Sequence, residues 1–581
     1  MKISPNIRKF WLINLIVGIA FIPTIASGLE SNIDQNDFIL ATLNKDELFS
    51  VYVAKSKNEV EQESSQELQT PLGSLWKLFV YIYIVENQIT PEPYKCTGND
   101  PNEVFCCKPQ KRIDIDKALI KSCGLFFDKI RSDILKISHG AWRLFWENEL
   151  GLKYEWLTNL NELEPGKIVN VRDLLTSLLR TNKLSHATLR SREVLPEVLI
   201  SGTAKGAVRL FGSSLKVKTF TWDDPNRIGK FIGGFAGWLN DGSAIWVLGK
   251  GKGSQVINLW GREINQRILG RLNSFSSNCV RVKFFNRYPI SKVLNLNTNQ
   301  LSNEGPLEGD YKIIFKNGNS LKFNSTGGLH YKRSTDETSI IGLFDMNEYI
   351  ARVLEREVSV DPEEAAKAFA ILARTYLINR AQFKDKCFVI PDSSHYQRVS
   401  IHNPSESSLA ISNWTDGLIL KNIDDIQYHS TTNSHNRISW TFAKKLAEDK
   451  LFFDEILKIG YPTGILSVMK SKLSQSCKRL PLIENWLNRR SVLWGNRLKR
   501  KVGYESPGSV VVCELTLGNP FSDLENNRIF VKSMKTRNDK ITIAHEYLHM
   551  SFKNHPLGND EGFIERTAIK LISDIGGSYE N

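Results

Sequence analysis

Apolar and polar residues are distributed along this chain in patterns that predict several distinct folding units. Lys2, Arg8 and Lys9 precede an apolar run from Phe10 to Ile22, and small residues follow at Thr24-Ile25-Ala26-Ser27. That order predicts a signal peptide over residues 1–27, cleaved near Ala26. Leu48 to Ala54 reads as a strand, and the segment after Leu72 as a buried helix running through Val85. Leu215 to Gly249 reads as a strand hairpin whose second arm, Ala244-Ile245-Trp246-Val247-Leu248, is too apolar for a solvent loop. An amphipathic helix from Gln255 to Leu272 closes this region, and Ser274 to Asn278 read as a linker. Farther on, Ala365, Ala368, Phe369, Leu372, Ala373 and Tyr376 recur at helical spacing behind Asp361-Pro362-Glu363-Glu364, a helix start with acidic residues at the positive end of the dipole. Ile541, Ala544, Leu548 and Phe552 form the stripe of a last helix, with Asn538 or Asp539 as its cap.

These elements predict a multidomain α+β protein. Residues 28–273 form an antiparallel sheet flanked by helices, 279–449 a central α+β domain, and 450–581 a mainly helical C-terminal domain. About 550 mature residues suit three or four domains. The signal peptide predicts a chain outside the cytoplasm, periplasmic or secreted, and its apolar run is short for an N-terminal anchor; no later apolar run reaches the roughly 18 residues of a membrane span.

Composition changes this picture little. The net charge of +13, from 76 basic and 63 acidic residues, is spread without a polybasic tail. It fits a basic solvated surface and attraction to anionic envelope polymers, with no nucleic-acid partner. The eight cysteines fall into two groups of four, Cys96, Cys106, Cys107 and Cys123, then Cys279, Cys387, Cys477 and Cys513. None has the paired spacing of a zinc knuckle, so structural disulfides of open connectivity are expected in an oxidising compartment.

Three constellations carry chemistry. In the first, Ser74 and Lys77 lie three residues apart at the start of an apolar helix and so share a face. A buried lysine with a depressed pKa can serve as the base that makes a serine nucleophilic. Ser122-Cys123-Gly124 follows in a helical context, and Lys218-Thr219-Phe220 lies on a strand. In order and spacing the region resembles the penicillin-binding protein and serine β-lactamase superfamily. The resemblance implies Ser74 as the acylated nucleophile, Lys77 as its base, Ser122 as a proton relay, and Lys218 with Thr219 as recognisers of a substrate carboxylate. Gly124 replaces the family's Asn and Phe220 its Gly, where a phenyl ring would crowd the groove. Active acyl transfer and a silent binding fold are both compatible with these departures.

In the second, Tyr349 to Glu357, followed by Ala373-Arg374-Thr375-Tyr376, resembles the stage II sporulation protein D family of peptidoglycan lytic transglycosylases. Pro391-Asp392-Ser393-Ser394-His395-Tyr396-Gln397 and Tyr428-His429-Ser430-Thr431-Thr432 agree with it. Glu357 then occupies the position of the catalytic glutamate, with Glu355 as competitor. A single carboxylic acid in an apolar setting can protonate a glycosidic oxygen.

The third is His545-Glu546-Tyr547-Leu548-His549. Histidines four apart on a helix point the same way, which two imidazoles need to share one zinc, and Glu546 stands alongside as base for the attacking water. Two candidates offer the third ligand. His555 completes a metzincin-like spacing but lacks that motif's glycine, which is Phe552 here, while Glu561 opens a second helix as in gluzincins. Glu561 is preferred, with Glu565 as alternative.

The whole arrangement resembles a family of secreted Gram-negative bacterial proteins of unknown function in which these pieces occur together. The reading that follows is an envelope protein acting on or binding peptidoglycan, with a zinc-dependent hydrolase site and a lytic transglycosylase-like centre. The competing readings are a non-catalytic envelope scaffold and a zinc peptidase that processes envelope proteins.

Overall fold

The computed structural model describes residues 38–573, apart from 56–57, 63–67, 185, 226, 269–278, 334–337, 385–386, 424–425, 427–436, 471–476, 478, 516–518 and 525–526. The expected signal peptide, the linker and the segment Tyr428–Thr432 lie outside the described residues, as does the end of the helix expected to reach Leu272.

The N-terminal region is built on a six-stranded antiparallel sheet in the order Asn58–Gln62, Phe49–Lys55, Phe38–Leu43, Ala244–Lys250, Phe231–Trp238 and Lys216–Asp223. The expected hairpin between Leu215 and Gly249 is therefore a three-stranded meander. Its middle strand escapes pattern reading because Gly233, Gly234 and Gly237 break up its apolar run. They let the neighbouring strands come close: a Cβ at Gly234 would lie 1.7 Å from the Val247 carbonyl oxygen, and one at Gly237 2.1 Å from that of Lys216. Helix Trp76–Glu86 is buried along nearly its whole length, and Gly253–Ile268 packs on the meander.

The central region carries an eight-stranded mixed sheet, in which Cys279–Phe284 and Cys387–Pro391 pair in parallel. Helices Met346–Glu357 and Glu363–Arg380 lie beside it. Strand Ile465–Val468 pairs with Leu418–Lys421, and Phe453, Ile456 and Leu457 join the same core, so this packing unit runs beyond the division expected after residue 449. It is also continuous with the core of the N-terminal region. Arg209 bonds both oxygens of Asp454, at 2.8 and 3.0 Å, and Lys470 meets Asp116 at 2.8 Å.

The last region has a core of its own around Trp494, Tyr547 and Leu548. Alongside helices Pro481–Leu498, Arg537–Ser551 and Glu561–Ser573 it holds a three-stranded sheet, ordered Val511–Glu514, Arg528–Val531, Phe521–Asp523. The cap of the Arg537–Ser551 helix is Thr536, not Asn538 or Asp539; Asp539 stands three residues on and completes a capping box. The cysteines pair as Cys96–Cys107, Cys106–Cys123, Cys279–Cys387 and Cys477–Cys513, within the two groups of four.

Candidate functional site

Ser74 sits in a short 3-10 turn that leads into helix Trp76–Glu86, one turn ahead of Lys77. Lys77 Nζ lies 3.5 Å from Ser74 Oγ, donates to the Ser122 carbonyl at 2.8 Å and lies 3.4 Å from Ser122 Oγ. Lys218 Nζ donates to the same hydroxyl at 2.9 Å. The two amines thus flank one serine, and Ser122 holds that place from a left-handed conformation (φ 62°) at the end of helix Ile115–Lys121. Burial lowers the Lys77 pKa to about 8 against the opposing pull of Asp128, and pushes that of Lys218 well down, helped by the charge of Lys77. A neutral amine beside a hydroxyl is the state a serine nucleophile needs.

Thr219 is buried, its hydroxyl 2.5 Å from that of Thr203, a neighbour the sequence did not flag. Phe220 does not crowd the groove as expected. It is 1 % exposed and lies beneath the 3-10 turn, so close that a Cβ on Gly73 would stand 3.1 Å from its own Cβ. At Gly124 a Cβ would stand 3.9 Å from Lys77 Nζ and 3.8 Å from an Asp128 oxygen, so a side chain here would face both charges.

In the central region the two competing glutamates separate. Glu355 accepts from the hydroxyl of Ser408 at 2.7 Å, from the backbone N–H of Ser405 at 3.0 Å and from the Ser405 hydroxyl, fastening the start of helix Glu406–Trp414. Glu357 accepts the Arg398 N–H at 2.8 Å, and Asp392 the adjacent Val399 N–H at 3.0 Å. Burial raises the Asp392 pKa over the opposing backbone hydrogen bonds. The ARTY segment is structural: Arg374 is fully buried and donates to the carbonyls of Thr415 (2.7 Å), Leu418 and Ser412 (both 3.2 Å), while Thr375 accepts the Leu420 N–H at 3.0 Å.

At the C-terminal helix His545, His549 and Glu561 converge, with one ligand atom of each within 4.8 Å of the others. The two Nε2 atoms are 3.0 Å apart, and Glu561 Oε2 lies 3.3 Å from the first and 3.8 Å from the second. Tetrahedral zinc with bonds of about 2.0–2.1 Å spaces its ligands by about 3.3 Å, so the donor set fits. The outer nitrogens decide the tautomers. His549 Nδ1 meets the Gly558 carbonyl at 2.7 Å and His545 Nδ1 meets Glu565 Oε2 at 3.0 Å, and both oxygens are acceptors. An imidazole that is neutral with its proton on Nδ1 would turn an Nε2 lone pair inward. Two such lone pairs and a carboxylate facing one point suit a cation. Burial opposes charging of His545, but contacts with Glu561, Glu546 and Glu565 raise its pKa, so a proton and a metal ion would compete for the inward nitrogen.

Glu561 is therefore the carboxylate that joins the histidines, and Glu565 stands behind His545. His555 is turned away, accepting the Leu557 N–H at 3.2 Å and packing on Gly503, where a Cβ would lie 2.2 Å from its ring. Glu546 is buried at 7 % exposure and lines, with His545, His549 and Glu561, a cleft of about 850 Å³. Gln382, Phe383 and Lys384 of the central region also line it, residues that carry no motif and were not singled out.

The uncharacterized protein YfaQ of Escherichia coli K12 is 34% identical over 571 residues, spanning 98% of this chain and 99% of that protein. The chain belongs to the YfaQ family. A family model described as stage II sporulation protein matches residues 334–420, which include Glu357 and Arg374. Another, described as a predicted secreted protein (DUF2300), matches residues 436–557, which include His545, Glu546 and His549. The export expected from the N-terminal pattern agrees with that description, and no described helix is long and apolar enough to cross a membrane. Similar solved structures include a class D β-lactamase from Bacillus subtilis (14% identity, 42% of this chain and 94% of that one, TM-score 0.28). The transpeptidase domain of FtsI4 D,D-transpeptidase from Legionella pneumophila is also similar (14% identity, 40% and 90%, TM-score 0.25).

Proposed function

We propose that this member of the YfaQ family is an exported envelope protein that works on peptidoglycan, and that its C-terminal centre is a zinc-dependent hydrolase of peptide or amide bonds. The observation that carries the proposal is the convergence of the Nε2 atoms of His545 and His549 on Glu561, with Glu546 in the same cleft. Zinc bound there supplies a Lewis acid for a carbonyl oxygen. Glu546 takes the proton of the attacking water and passes it to the leaving nitrogen. Glu565 and the Gly558 carbonyl hold the imidazoles in orientation. The central domain matched to stage II sporulation protein supports a glycan-bearing wall polymer as the partner. Incubating purified sacculi with zinc-loaded protein tests this: soluble products with cleaved peptide or amide bonds are expected, and none with Glu546→Gln. Cleavage of envelope proteins with sacculi untouched would favour a processing peptidase instead.

A second reading concerns the N-terminal centre, which the Ser74, Lys77, Ser122 and Lys218 cluster favours as a site of serine acylation, with Thr219 beside it. The zinc centre does not depend on it. Glu357 is the candidate acid of a lytic centre, because Glu355 is committed to the adjacent helix.

A further inference from the structure

Behind the serine centre, the elements that carry its residues are tied to one buried carboxylate. Asp116 lies in helix Ile115–Lys121, which ends at Ser122. Its Oδ1 accepts from the Tyr81 hydroxyl at 2.9 Å and from Arg190 Nε at 3.0 Å. Tyr81 is fully buried and stands one turn beyond Lys77 on helix Trp76–Glu86. The other oxygen, Oδ2, accepts from Lys470 Nζ at 2.8 Å. Lys470 follows strand Ile465–Val468, which belongs to the central packing unit through its pairing with Leu418–Lys421. One carboxylate thus joins the helix of Lys77, the helix that ends at Ser122 and the central unit.

The same central strand takes a second hold. Glu197 Oε1 accepts the Val468 N–H at 3.0 Å and the Ser467 hydroxyl. Glu197 lies in helix Pro196–Ile200, and the turn after that helix brings Thr203 to Thr219. That turn is pressed against the Ser122 helix: a Cβ at Gly202 would lie 2.7 Å from the Ile120 carbonyl oxygen, and Lys121 Nζ donates to the Ser201 carbonyl. Burial works against charge on Asp116, but Lys470 and Arg190 outweigh it and lower its pKa, so the carboxylate stays ionised. A buried carboxylate deprived of one of its two cationic partners is undercompensated, and the elements it joins shift to reach another partner or water. The Lys470 side chain is 36 % exposed, so replacing it opens no hole in the core.

We propose that Asp116 and Lys470 are positioning residues of the serine centre, through which the central unit sets where Ser122 stands between Lys77 and Lys218. The inference rests on the acylation reading above and extends it, because the site is then completed by a residue from outside its own domain. Neither residue touches the reacting atoms. They act through Ser122, whose hydroxyl must stay within reach of both amines, 3.4 Å from Lys77 Nζ and 2.9 Å from Lys218 Nζ. The helix that carries it there has seven residues, and Asp116 is its buried tether.

The test uses the full-length chain and a fluorescent penicillin, with the limiting rate of acylation measured separately from the half-saturating concentration. Lys470→Met should lower the limiting rate by about 10–100-fold, the loss that misplacing a reacting group by about 1 Å produces, with half-saturation little changed. Lys470→Arg, which keeps the charge pair, should restore most of the rate. Lys117→Met removes an exposed pair with Asp114 on the same helix and should leave the rate unchanged. Circular dichroism checks that each variant is folded; if Lys470→Met is not, Lys470→Gln, which keeps a hydrogen-bond donor but no charge, is read in the same way. Wild-type acylation with an unchanged rate in the uncharged variant, or a loss that Lys470→Arg does not restore, overturns the inference and leaves the acylation reading standing. No adduct in the wild type overturns both.

Discussion

His545 Nδ1 stands 3.0 Å from Glu565 Oε2, and this contact leaves Nε2 as the nitrogen that faces His549 and Glu561. A carboxylate behind a ligating histidine sets its tautomer and raises its basicity, and losing such a partner typically weakens metal binding by about 10–100-fold. Glu565→Gln should therefore retain zinc at saturation but release it to a competing chelator at that much lower concentration. His555→Ala, which removes a helix cap and not a ligand, should leave zinc affinity unchanged.

Acylation at Ser74 should follow the protonation of Lys77. Burial lowers its pKa to about 8, so the neutral base is scarce below that pH and dominant above it. The rate of labelling by a fluorescent penicillin should rise as pH passes through about 8, and Lys77→Arg, which stays protonated, should abolish it. The same shift contributes to stability. Between about 8 and the ordinary lysine value the unfolded chain binds the extra proton, so folding gains as pH rises across that window. No adduct at Ser74 at any pH would leave this domain a binding fold.

The two glutamates of the central helix should behave oppositely. Glu355→Ala leaves Ser408 and Ser405 without their acceptor and should lower stability by roughly 1–3 kcal/mol, read by thermal or denaturant unfolding. Glu357→Gln should keep the wild-type unfolding midpoint while removing release of anhydro-muropeptides from denuded glycan strands. Equal midpoints for both variants would remove the distinction drawn between them.

The Cys279–Cys387 disulfide joins parallel neighbouring strands across a separation of 108 residues. Closing so long a loop in the unfolded chain is worth about 4–5 kcal/mol in the chain-entropy model. Replacing both cysteines by alanine should cost roughly 2–5 kcal/mol in chemical denaturation. An unchanged midpoint would show that the adjoining sheet carries the stability alone.

Much of the site was legible because its chemistry sits in short, local spacings. Ser74 and Lys77, or His545 and His549, share a helix face whatever the rest of the chain does. Glu561 was legible as the carboxylate that meets the two histidines for a similar reason, a loop of Pro556, Leu557 and Gly558 turning one helix back on another. What stayed hidden depends on distant packing. That Glu355 is committed to Ser405 and Ser408, fifty-odd residues on, leaves no periodic trace. The glycine strand Phe231–Trp238 lacks the alternation that marks a strand, and the presumed obstruction at Phe220 dissolved because the register turns its ring under Gly73. Lys384 carries no motif, and only the docking of two sheets brings it to the cleft.

The central claim, that His545, His549 and Glu561 on two helices form a zinc site, is tested most directly by metal analysis of the full chain after dialysis against limiting zinc. One zinc per chain is expected in the wild type and in Glu546→Gln, with binding lost in His545→Ala and His549→Ala and strongly weakened in Glu561→Gln. Zinc absent from the wild type, or retained undiminished when either histidine is replaced, would contradict it.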